Sequence, residues 1–319
     1  VATAARREQQ RERAAQRAFE AEVATRLRER AKLLLTGETG VLQTLAEART
    51  QIMATLAELP ADWQQWQLSR LLGQINDVLD AATVNAGTQF GAVLQEAWRM
   101  GEDLVDKPLA AMGLPVEMQL AQLDVGVLKQ MRTFGSLRLK DVGTQAASKI
   151  GRQLGLVTMG AQTPFEAIKS VNSALGGEAA ARAATIVRTE VSRAFAVASH
   201  ERLVQAEKLV PGLGQQWRRS GKIHSRWNHD LMDGQVAEAG KPFKVPNPGG
   251  GFDMMRHPHD PKAPPEQVIR CGCIALPWMK SWTVSTPGAK PFTEDELKLD
   301  GRKAALDQAA KRAGRRVEG

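Results

Sequence analysis

The sequence predicts an α+β protein, with a mainly α-helical N-terminal region followed by a small α+β domain of short strands and an irregular Pro/Gly-rich loop. Three observations lead there. Apolar residues recur at helical spacing over most of the chain up to Pro211-Gly212. Beyond that point the apolar runs shorten and are separated by Gly and Pro, as brief strands linked by turns are. Four of the five histidines and both cysteines then crowd between Trp217 and Cys273. At 319 residues the chain is long enough for two cores, since single cores stop growing near ~250 residues. The expected division is a helical region over 1–175, a mixed domain over 176–285 and a basic helical tail over 286–319.

The elements follow in order. Residues 4–35 are rich in Arg, Glu and Ala and carry Phe19, Val23, Leu27, Ala31 and Leu34 as one apolar stripe on a charged helix. Gly37 and Gly40 are expected to break it. Val41, Leu45, Ala48, Ile52 and Leu56 form a second stripe, stopped at Pro60. A third helix starts near Asp62, a plausible N-cap, and carries Trp63, Trp66, Leu71, Ile75, Val78 and Leu79. Further helices are expected around 83–105, 115–134 and 136–154, with Pro108, Gly113 and Pro115 punctuating the first junction and Gly155 to Gly160 the last.

Thr163-Pro164-Phe165-Glu166 is a capping box with proline at the first helical position. The short helix it opens, 164–175, is expected to end at Gly176-Gly177. A long helix over 178–209 comes next, with Ile186, Val187, Phe195 and Val197 pointing to a buried side. Short strands are expected at 215–220, 235–237, 242–246 and 267–269, with helical turns over 223–232. The stretch from Asn247 to Pro265 reads as an irregular loop that something must pin down. After Pro291, residues 293–313 return to helix, and the terminal Arg312, Arg315 and Arg316 are expected to be mobile.

Charge and composition narrow the function. The net charge of +8 is uneven, at +2 over 1–60, −1 over 61–175, +5 over 176–285 and +2 over 286–319. Such a field favours an anionic partner such as DNA, with salt-dependent affinity. No apolar run approaches the ~18 residues of a membrane-spanning helix. The Arg/Glu-rich start lacks the apolar segment of a secretory signal. Two cysteines one residue apart make no disulfide framework, and reduced thiols are expected.

Three chemical readings of the polar stretch compete. His257, His259, Cys271 and Cys273 offer two imidazoles and two thiolates, the soft set that structural zinc takes, with His229 as an alternative ligand. Against that, Cys-x-Cys is a poorer chelating spacing than Cys-x-x-Cys, and Pro258 stiffens the histidine pair. His229, Asp233, His257, His259 and Asp260 could instead serve a metal-dependent nuclease, although no recognised nuclease spacing is present. Finally Arg188, Glu190, Arg193, Arg226, His229 and Asp233 are expected to form a buried polar network tying the long helix to the small sheet.

The ordered set resembles a known family. Arg188-Thr189-Glu190 and Arg193 on a long helix precede Trp217, Ser220, Arg226, His229, Asp233 and Gly234. Phe243, Pro246, Pro258, Asp260, Pro261, Cys271 and Cys273 complete it. Over about 178–285 this resembles the C-terminal domain of the phage Mu F-like minor head proteins, the phage head morphogenesis family. Gly272 stands between the cysteines where that family usually has Arg, and His257 and His259 flank Pro258 where other residues are expected.

The resemblance implies a non-enzymatic minor capsid protein of the virion. It would be assembled in the bacterial host cytoplasm, inside the procapsid near the portal, and act in head assembly, DNA packaging or DNA exit. Its implied partners are the portal protein, a scaffold or major capsid protein, and phage DNA. Residues 1–175 are then the candidate portal-binding region.

Overall fold

The computed structural model describes residues 2–58, 65–220, 226–247 and 249–282, with the backbone alone at 2, 3, 65–67 and 227. Long helices come first and short strands last. They are α1 (Ala2–Ala57), α2 (Gln65–Ala111), a 3-10 turn (Glu117–Gln119), α3 (Val125–Thr158), α4 (Pro164–Ser173), a π-helical turn (Ala174–Ala179) and α5 (Ala180–Glu207). The remainder is β1 (Leu213–Arg218), α6 (Trp227–Asp230), β2 (Val236–Glu238), β3 (Phe243–Pro246), β4 (Phe252–Met255), α7 (Pro265–Val268) and β5 (Ile274–Met279). The expected α+β class is what the chain adopts. None of the described helices is long and apolar enough to cross a membrane.

Two compact units form, each from separated stretches of chain. A helical unit takes residues 31–96 and 125–191, and a mixed unit takes 1–30, 97–124 and 192 onward. Helices α1, α2 and α5 each contribute to both.

In the helical unit, every helix presents one stripe at four-residue steps. Ile52 and Leu56 meet Leu71, Ile75 and Leu79, then Ala146, Ile150 and Leu154, then Ala167, Val171 and Leu175. Burying each large apolar side chain contributes about 1.5–3 kcal/mol before the entropy of ordering is subtracted. Helix α4 opens with the expected capping box, in which the Thr163 hydroxyl accepts from the Glu166 amide and Glu166 reaches back to the Thr163 amide.

Several expected helix breaks are absent. Helix α1 runs straight through Gly37 and Gly40, because the missing side chain is used for close approach. A Cβ on Gly37 would stand 2.7 Å from Val93 on α2. Gly176 likewise lies against the Arg49 guanidinium, at 2.9 Å from a Cβ there, and the chain continues through the π turn instead of stopping. The helix expected around 83–105 is part of α2, and those expected at 115–134 and 136–154 are replaced by the 3-10 turn and a single α3.

True ends occur at Gly113 and Gly160, both left-handed (φ 93° and 70°). After Gly113 the Leu114 amide donates to Leu109 and the Gly113 amide to Ala110, closing the last turn of α2. The helix start at Pro60, Asp62 and Trp63 lies outside the described residues, as do the side chain of Trp66, the 293–313 helix, and Arg312, Arg315 and Arg316.

The mixed unit holds a three-stranded antiparallel sheet in the order β2-β1-β5 and a separate β3-β4 hairpin. Strand β1 is central and almost wholly buried. Opposite it, Trp217 pairs with Ala275 and Gln216 with Leu276 on one side and Val236 on the other. A small core gathers Trp217, Met232, Phe243, Val245, Met255, Val268, Cys271 and Cys273.

Two strands lie where none was expected. Strand β4 sits inside the supposed loop and pairs Met255 with Phe243. Strand β5 follows the cysteines. The strand expected at 267–269 is instead the end of the one-turn helix α7 and the residue after it.

Candidate metal centre

Both cysteines are reduced and buried, on the short link between α7 and β5. His229, on the single-turn helix α6, meets them. Its Nδ1 lies 3.4 Å from Cys271 Sγ and 3.6 Å from Cys273 Sγ. The three ligand atoms fall within 4.8 Å of one another and all three residues are buried. Zinc–sulfur and zinc–nitrogen bonds of about 2.3 and 2.0–2.1 Å at a tetrahedral angle would separate sulfur from nitrogen by about 3.6 Å. The observed spacing matches that edge, so this cluster could hold a metal ion.

Hydrogen bonding sets which imidazole nitrogen is bare. The Gln267 side chain is fully buried and its Nε2 donates to Asp253 Oδ2 at 2.6 Å, with Pro246 O at 3.4 Å. That leaves Gln267 Oε1 as an acceptor, taking one bond from Asn228 Nδ2 at 2.9 Å and one from His229 Nε2 at 2.8 Å. His229 therefore carries its proton on Nε2 and turns the lone pair of Nδ1 toward the sulfurs. This is how outer partners orient a ligating histidine. Trp217 packs edge-on against the His229 ring, with centroids 5.4 Å apart, and fixes its tilt.

The thiols are unequal. Cys271 is held well below its ordinary value, first by a hydrogen bond from Cys273, then by the neighbouring His259. Cys273 is raised well above its own value by giving that proton and by burial. One proton shared between two sulfurs accounts for both directions. The Cys273 amide also approaches Cys271 Sγ at 3.4 Å, which favours the thiolate.

A buried cation faces the pair. Arg30 of α1 stacks on Phe195 (5.1 Å to the ring centroid) and donates to Ser192 Oγ at 2.9 Å. Burial pulls it down to about 10, and the charges of Cys271 and Cys273 oppose that.

The loop carrying the other two histidines is pinned by Asp260. Its carboxylate accepts from the amides of Arg256 (2.8 Å) and Lys262 (3.0 Å) and from the Arg256 guanidinium. Burial works against the charge, but these bonds win and hold Asp260 down at about 2. The clamp sends the histidines apart. His257 Nδ1 donates to Pro258 O at 2.8 Å and its ring lies 4.9 Å from that of His200 on α5. Burial, then His200, lower it to about 3, so it is neutral. His259, with no exposure at all, lies beside Cys271 instead.

Of the predicted quartet, then, Cys271 and Cys273 come together with His229, the alternative ligand. His257 faces His200, and His259 borders the Cys271 side. Compared with protein-family models, curated proteins and solved structures, the chain matches none.

The expected six-residue network is divided between the two units. Glu190 is buried and pairs with Arg138 of α3 at 2.8 Å, and Arg188 pairs with Glu38 of α1, all within the helical unit. Arg193, Arg226, His229 and Asp233 belong to the mixed unit. There Arg226 donates to Ile269 O, and Asp233 accepts from the Arg219 amide at 3.0 Å. The physical reason is that Arg188-Thr189-Glu190 falls on the first half of α5, which packs in the helical unit.

Glu190→Ala should therefore destabilise the helical unit by about 1–3 kcal/mol, the cost of stripping a charged partner from a bond whose other end is still partly hydrated. Thermal unfolding monitored by far-UV circular dichroism checks this. The exposure of the buried Cys271 and Cys273 to a thiol reagent, which reports the mixed unit, should hold to its wild-type midpoint.

Sequence reasoning missed Gln267, Asn228 and Arg30. Gln267 was read as part of a strand, and nothing in the local pattern of Arg30 sets it apart from the other arginines of α1.

Proposed function

We propose that this chain is a non-enzymatic minor head protein of a phage, acting inside the procapsid near the portal in head assembly, DNA packaging or DNA exit. In this reading a structural zinc at His229, Cys271 and Cys273 locks its C-terminal module. One observation carries the reading. Trp217, Phe243, Cys271 and Cys273, residues that carry the family resemblance, pack in a single small core with His229 set against it. Residues scattered over the resemblance thus serve one local architecture.

The burial of all three ligands favours a structural role over a hydrolytic one. A catalytic metal keeps a position open to water and substrate. A core of eight buried residues, two of them cysteines, is small, and a metal clip contributes most where the apolar core is least.

The test is co-expression of the full chain with the portal protein of the same phage, followed by affinity capture. The full chain is needed because both units draw on residues before and after 125. Co-purification of a portal ring is expected. Absence of any portal association, with the protein folded, overturns the assignment. A gel shift with duplex DNA across a salt series tests the DNA contact, which is lost if mobility is unchanged even at low salt.

A further inference from the structure

We propose that His259 supplies the fourth ligand, closing a tetrahedral site of two imidazoles and two thiolates around a soft divalent metal such as zinc. The inference rests on the reading that the centre holds a metal, and it specifies how the coordination sphere is completed.

Three features of His259 converge. Its side chain is fully buried, yet neither Nδ1 nor Nε2 makes a well-formed hydrogen bond, the Cys271 sulfur being the polar neighbour it influences. A buried polar atom left unsatisfied is costly, so two on one ring mark a place where something else binds. Its backbone is left-handed (φ 67°), a strained conformation for a residue with a side chain. Among the described residues only Arg270 shares that property without being glycine, at φ 55°, and it directly precedes Cys271. The two strained residues thus present His259 and the Cys271-Gly272-Cys273 turn, the two segments that would complete the site with His229.

The anchor for that strain is visible. Asp260 clamps the 256–262 turn through two backbone amides and the Arg256 side chain, so His259 is fixed independently of any metal. His257, two residues away, is turned to His200 and has its Nδ1 engaged by Pro258 O. His229 Nδ1 already stands at tetrahedral spacing from both sulfurs. His259 borders Cys271 outside that three-atom cluster, and its ring closing on the metal would complete the four-ligand set of structural zinc sites. The rival is a metal-free pairing in which His259 donates a proton to the Cys271 thiolate.

Cobalt(II) substituted into the full-length protein separates these. Wild type should show the intense visible bands of tetrahedral cobalt with thiolate-to-metal charge transfer. His259→Ala should lose most of the visible intensity, as the site opens, and bind cobalt at least about 10–100-fold more weakly. His259→Cys should retain tetrahedral intensity and gain charge-transfer absorption, which keeps the test usable if the alanine variant folds poorly. His257→Ala should leave the spectrum as in wild type.

Unchanged intensity and affinity in His259→Ala overturn the assignment of His259 while leaving a metal centre in place. A wild-type protein that binds no cobalt overturns the metal centre itself.

Discussion

Replacing Asp106 with alanine should lower the stability of the mixed unit by about 3–5 kcal/mol, the range for removing one partner of a buried ion pair. Asp106 on α2 and Arg202 on α5 are 3% and 7% exposed, which is why the effect is expected to be large. Three guanidinium contacts of 2.7–2.9 Å join them, and Arg202 also donates to Ala121 O. Burial raises Asp106 in spite of Arg202, a sign of how strongly the site opposes isolated charge.

Alanine would strand a guanidinium in that environment, with only partial relief from the nearby Glu102. Asp106→Leu combined with Arg202→Met should recover much of the loss, because an apolar pair of similar volume avoids desolvation. Denaturant unfolding of the two single variants and the double variant gives the coupling directly. A loss below about 1 kcal/mol for Asp106→Ala would show that the pair is hydrated in solution.

The second large effect is metal removal. With free zinc about 1,000-fold above its dissociation constant, binding to the folded state alone adds about 4 kcal/mol, and a chelator should remove it. The loss should fall on the mixed unit. Trp217, edge-on to both His229 and Phe243, is buried there, and its near-UV signal and emission should report the change. The helical unit has its own core of four apolar stripes and should keep its helicity. Unfolding in chelator should thus become two transitions where the loaded protein shows them closer together. A chelator-insensitive midpoint, with metal demonstrably removed, would deny the centre a structural role.

Much of the helical architecture was legible because burial repeats at a fixed spacing. Val41, Leu45, Ala48, Ile52 and Leu56 are all buried, and the Thr163 box starts a helix. Glycine was the ambiguous sign. At Gly113 and Gly160 it ends a helix, and at Gly37 and Gly176 it admits a neighbour. Only the partners Val93 and Arg49, distant in sequence, decide between the two uses.

The site was legible in its ingredients more than in its arrangement. His257 and His259 are equivalent on paper, but a proline between them and an aspartate clamp after them turn the two rings to different neighbours. His229 was visible as an alternative ligand, whereas its tautomer depends on Gln267, Asp253 and Asn228 meeting in space. The Asp106–Arg202 pair spans 96 positions, and no local pattern announces it.

The most direct measurement is the metal content of the full-length protein, purified without chelator, taken together with a thiol titration. The chain has two cysteines only, so the titration is unambiguous. One zinc per chain, with both thiols unreactive until the metal is stripped, is the expected result. A folded protein with no bound metal and no uptake of added zinc would contradict the account.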